Sequence, residues 1–141
     1  MMTVTLIGAS MIILTIFIES AIIAGALAGA TWFGKRIRAL PLVLRLTIWL
    51  SGLSLWLLLG IAAALWLWAA LLLFLGEFTT IHQAMYFASV TATTVGYGDS
   101  LLSPQWNLLS GFLAANGLIL FSLNTAFLFE ALRRILQPDK D

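Results

Sequence analysis

Thr93-Thr94-Val95-Gly96-Tyr97-Gly98-Asp99 is the stretch whose reading decides the fold. Two glycines alternate with larger residues, and two hydroxyl residues stand before them. Glycine adopts positive φ at little cost, so such a run can turn successive backbone carbonyls toward one side. Several copies around an axis would stack rings of oxygens that replace the water around a cation. A Gly-Tyr-Gly alone would read as a surface turn. The full string inside an apolar chain carries far more information.

The surroundings are apolar indeed. Of the 141 residues, 62% are hydrophobic and 9% charged, too few charges for a water-exposed globule. The apolar residues form long blocks, about Thr3 to Phe33, Leu42 to Leu75 and Trp106 to Leu136. Each is long enough to cross a bilayer, which takes about 20 residues. A stretch from Thr80 to Ala92 is too short to cross and reads as re-entrant. Non-helical backbone beyond Ala92 then needs protein or a watery cavity around it, which one chain does not supply. The fold class expected is an all-α membrane protein, with three transmembrane helices, a short re-entrant helix and a loop. The six tryptophans suit interfacial anchoring and packing, and the absence of cysteine excludes disulfides and thiolate metal sites.

Charge sets the expected orientation. Lys35, Arg36, Arg38 and Arg45 lie between the first two blocks, and Arg133, Arg134 and Lys140 follow or end the third. Placing both groups in the cytoplasm leaves the N-terminus and the loop with Glu77 and Asp99 outside. The first block lacks a basic start and exceeds a signal peptide's apolar run, so it reads as a retained helix. Gly34 and the basic run are expected to end it, Pro41 to start the second helix and Pro138 to end the third. The expected division is a first helix over 1–34, a basic linker over 35–41, a module over 42–136 and a tail over 137–141. Within the module the outer helix spans 42–75, the short helix 80–92, the glycine loop 93–99 and the inner helix 105–136.

The string Thr94-Val95-Gly96-Tyr97-Gly98 followed by Asp99 resembles the filter signature of the potassium channels. The resemblance covers roughly Leu42 to Leu136, and the first helix is additional to that two-helix module. It implies that carbonyls of Thr94, Val95, Gly96 and Tyr97 bind K+, with the Thr94 hydroxyl completing the innermost site. Gly98 would turn the outer end of the strand, and Asp99 would stand behind the mouth with Thr93 as a further support. Tyr86 and Phe87 occupy positions that are often aromatic. Tyr86 has two readings, a hydrogen bond to Asp99 or plain packing. Val90 stands where some relatives carry a glutamate behind the filter, and counts with Thr93, Asp99 and Tyr86 as filter support. Gly117 matches a bending glycine, with close helix packing as the other reading. Leu118, Phe121 and Thr125 match the cavity wall at helical spacing. Phe129, a turn further on, reads either as a hydrophobic gate or as a lipid-facing residue. The short helix would aim its partly negative carbonyl end at the cavity.

Four polar or ionisable residues stand out at membrane depth. Asn116, Ser122 and Asn124 are expected to bond between helices. Glu19 must be protonated or bonded, for example to Ser51 or Ser54, because no basic residue sits at its depth. Ala21, Gly25 and Gly29 give a small-residue face for close packing. For Glu19, packing and proton-sensitive gating are both open. His82 is either an external proton acceptor or an interfacial helix-start residue.

The function implied is passive, K+-selective conduction by a homotetramer in a bacterial or archaeal inner membrane. Its partners would be lipid and K+, with no other cofactor and no nucleic acid. The alternatives are a weakly selective cation channel, an ion-coupled transporter and a non-conducting accessory membrane protein. No nucleophile–base set, metal cluster or phosphate loop marks an enzyme. No helix carries the spaced arginines of a voltage sensor.

Overall fold

The computed structural model describes residues 1–37 and 41–136. Arg38, Pro138 and Lys140 therefore lie outside the described residues. All regular structure among those described is helical: α1 (Met2–Ile37), α2 (Leu42–Phe74), α3 (Ile81–Ala92) and α4 (Leu108–Leu136). Three segments, Met2–Gly29, Leu42–Phe74 and Leu108–Arg134, are long and apolar enough to cross a membrane.

The helix boundaries have local causes. Pro41 sits at the N-cap of α2, where its missing N–H costs nothing. At the other end, Gly76 adopts φ +76°. Its N–H donates to the Leu73 carbonyl and that of Glu77 to the Leu72 carbonyl, closing a glycine-based C-cap. Thr80 caps α3 by accepting from the Gln83 N–H at 3.3 Å. Ser103-Pro104-Gln105-Trp106 makes a turn before α4, so the inner helix starts at Leu108 rather than at 105.

One boundary differs more. α1 runs through Gly34 to Ile37, taking in part of the segment expected as a basic linker. A single interior glycine costs a helix only about 1 kcal/mol, too little to stop one that ordinary helix formers continue.

α2 runs antiparallel to α1 and α4 and packs on both. At one end Trp68, Ala69 and Leu72 of α2 meet Ala84, Phe87 and Ala88 of α3 and Leu109 and Leu113 of α4. At the other, Leu53 and Leu57 meet Ala131 of α4, with Ile23 of α1 alongside. α1 lies against α2 and α4 together. Its register on α2 is set by Trp56, whose indole N–H donates to the Ile22 carbonyl at 2.9 Å. On α4 it is set by Thr15, which donates to Asn116 Oδ1 at 2.9 Å in a fully buried position. Thr15→Val should remove this bond and lower stability by about 0.6 kcal/mol, the usual size of such bonds in membranes. Thermal unfolding in detergent measures it.

Small residues admit these contacts, though the expected stripe supplies just one of them, Gly25. Gly25 faces the Trp56 ring, but Gly29 has nothing near it and Ala21 is exposed. The tight positions are Gly8 against the Phe112 ring and Gly60 against the Glu19 carboxyl. Glu19 therefore meets neither Ser51 nor Ser54, both of which are exposed. With Trp56 level with Ile22 and Glu19 against Gly60, those serines lie roughly one and a half to two and a half turns short of Glu19's height.

Candidate functional site: the 93–99 loop and the α4 face

α3 delivers the chain to the loop. Its buried stripe of Ala84, Phe87, Ala88 and Ala92 seats it on the core, and Phe87 packs on Phe78 with ring centroids 5.3 Å apart. The last turn is closed by Thr93, whose hydroxyl donates to the Ser89 carbonyl at 2.7 Å. The end of α3 rests on bare backbone of α4: a Cβ at Gly117 would overlap the Ala92 carbonyl. Gly117 thus has a packing reason to be glycine.

Beyond Thr93 the backbone alternates. Thr94 has φ +60°, Gly96 +48° and Gly98 +77°. A β-branched residue in the left-handed region is strained, and such strain gathers where function requires it. The Gly96 N–H donates to the Val90 carbonyl at 3.1 Å. Val90 therefore supports the loop through its main chain, whatever its side chain lacks. Further along, Tyr86 Oη donates to Asp99 Oδ2 at 2.8 Å. This bond to a carboxylate, then burial and the Asp99 charge, raises the Tyr86 pKa above the ordinary tyrosine value. Asp99 is thereby tied to the middle of α3.

The loop's side chains face outward from the single chain: Val95 is 52% and Tyr97 72% exposed. Below them, Leu118, Phe121, Thr125 and Phe129 line one open groove along α4 with Ser122 and Ala126. Leu118, Phe121 and Thr125 share the face on which their spacing puts them, and Phe129 lies on the same groove. Of the three interhelical polar residues expected, Asn116 bonds to Thr15, but Ser122 turns back to the Leu118 carbonyl of its own helix. A serine hydroxyl on a helix finds the preceding turn's carbonyl without any partner helix. Asn124 is buried beside Glu19. His82 is exposed in the first turn of α3.

The sequence reading missed the tie behind the loop. Glu77 accepts from the Ser103 N–H at 2.6 Å and from its hydroxyl at 2.7 Å, closing the segment between α2 and α4. Neither residue belongs to a spaced motif that would have drawn attention to the pair.

A short helix resting on a long one, followed by a strained glycine loop over an exposed helix face, agrees with a comparison of sequence. The ion channel family matches residues 52–134, more than half of the chain, taking in the loop, all of α3 and α4 up to Arg134. The chain belongs to the ion channel family. That family is not one of enzymes, and the three apolar helices make this channel an integral membrane protein. No curated protein and no solved structure matches the chain. The match begins within α2, so α1 is outside it.

Proposed function

We propose that the channel is K+-selective and conducts as a homotetramer, each chain contributing one 93–99 loop to a common filter. The observation that carries this reading is the alternation of positive φ through Thr94, Gly96 and Gly98 in a loop with exposed side chains. Alternating backbone of this kind can present carbonyls of Thr94, Val95, Gly96 and Tyr97 to one axis. Four such loops are needed to surround an ion with oxygens. In this reading the α4 groove of Leu118, Phe121, Thr125 and Phe129 becomes the wall of a shared cavity, with Phe129 as its narrow end. The basic residues face the cytoplasm, and the loop faces outward.

The test is reconstitution in a planar bilayer with K+ on one side and Na+ on the other. A reversal potential far from zero, on the K+ side, is expected. One near zero would leave a weakly selective cation channel as the better reading.

The Tyr86–Asp99 bond supplies a second check. Tyr86→Phe removes this bond while sparing the packed core. The melting temperature should barely move, because Tyr86 is 38% exposed. Single-channel bursts should shorten. The raised tyrosine pKa means that the parent protein should keep long bursts slightly above pH ~10, where an ordinary tyrosine loses its proton.

A further inference from the structure

Glu19 is fully buried between α2 and α4, and its carboxyl lies against Gly60 and Asn124. Among the described residues, six buried side-chain polar atoms have no hydrogen-bond partner, and four of them are Glu19 Oε1 and Oε2 and Asn124 Nδ2 and Oδ1. These four atoms are one matched set. A neutral carboxyl offers one O–H donor and one carbonyl acceptor, and a primary amide offers one of each in the complementary order. A carboxylate offers only acceptors and would leave Asn124 Oδ1 unmatched.

Among the described residues, no charge nearby compensates an ionised Glu19. The one ionisable side chain of α2 is Arg45, fifteen residues before Gly60. On α4 they are Glu130, Arg133 and Arg134, the nearest six residues past Asn124, with both arginines ion-paired to Glu130. On α1, the basic residues Lys35 and Arg36 lie four turns or more beyond Glu19.

We propose that Glu19 is held as the neutral acid and pairs with Asn124 through two hydrogen bonds, making it a positioning residue that clamps α1 to the pore-side helix α4. The carboxyl O–H donates to Asn124 Oδ1, and Asn124 Nδ2 donates to the other carboxyl oxygen. Gly60 provides the room, since any Cβ there would overlap the carboxyl. Asn124 immediately precedes Thr125, which lies on the exposed groove. Loss of the proton replaces a paired acid with an unpaired charge in an apolar interface, opens the clamp and frees that stretch of α4. The proposal rests on α4 bordering the conduction path, and its test separates the two claims.

Difference infrared spectra of vesicle-reconstituted protein read the clamp directly. At neutral pH the parent should show a protonated-carboxyl band that Glu19→Gln lacks. Asn124→Leu should keep the band but shift it to higher frequency, because the carbonyl loses its donor. As pH rises the band should vanish, with a step in cation flux of about fivefold, the low end of ordinary coupling. Glu19→Gln, whose amide can still pair with Asn124, should fold and show no step. A carboxylate at neutral pH, an unshifted band in Asn124→Leu, or a parental pH step in Glu19→Gln would each overturn the clamp. If no variant conducts at any pH, the conduction reading falls and the band alone decides the clamp.

Discussion

Gly96→Ala is expected to reduce K+ flux by about three orders of magnitude or more while leaving the melting temperature almost unchanged. Gly96 has φ +48°, and an L-residue in the left-handed region costs about 1–2 kcal/mol. The space around position 96 is open, with nothing within 4 Å of an added Cβ, so no clash unfolds the chain. The substitution therefore acts on loop conformation alone. In a fourfold filter the cost is met four times at one site, about 4–8 kcal/mol in all. Each 1.4 kcal/mol is a factor of about ten, which gives the expected loss. Potassium efflux from liposomes beside thermal unfolding in detergent measures both quantities. A loss of only about tenfold would match a single loop's cost and argue against loops acting in a ring.

Gly117→Ala should have the opposite signature. The Cβ would overlap a backbone carbonyl, that of Ala92, which no side-chain rotation can move aside. Either α3 or α4 must shift, and overpacking of this kind costs about 1–3 kcal/mol per chain. Melting temperature and flux should fall together, because the carbonyl displaced belongs to the last turn before the loop. A hinge role predicts something else: changed opening with unchanged stability. An unaltered melting point with altered open probability would restore the hinge reading of Gly117 and remove the packing one.

The helices were legible in the sequence because each rests on a local cause. Long apolar blocks, Pro41 before α2 and Thr80 before α3 are one-dimensional signals, and the observed helices begin there. The groove residues Leu118, Phe121, Thr125 and Phe129 were legible for the same reason, since helical spacing alone puts them on one face. What failed was register between helices. Nothing local says that Glu19 stands level with Gly60 rather than with Ser51 or Ser54. That height follows from Trp56 reaching Ile22 and from the fit of Gly8 to the Phe112 ring. The small-residue stripe Ala21, Gly25 and Gly29 misled because smallness permits close approach without requiring it. At Val90, expected as a support, the means was not legible: the bond runs to its carbonyl, which every residue has.

The placement of Glu19 and Thr15 has a consequence for how the channel is made. Thr15 and its partner Asn116 are 101 residues apart in the chain. α1 precedes α4 in the chain, so one wall of its polar seat belongs to a helix made later. Until then, Glu19 faces lipid or whatever escorts the nascent chain. A polypeptide stalled before α4 therefore displays a carboxyl in the bilayer, and a completed one hides it. The carboxyl that is paired and hidden in the finished protein thus marks an unfinished one.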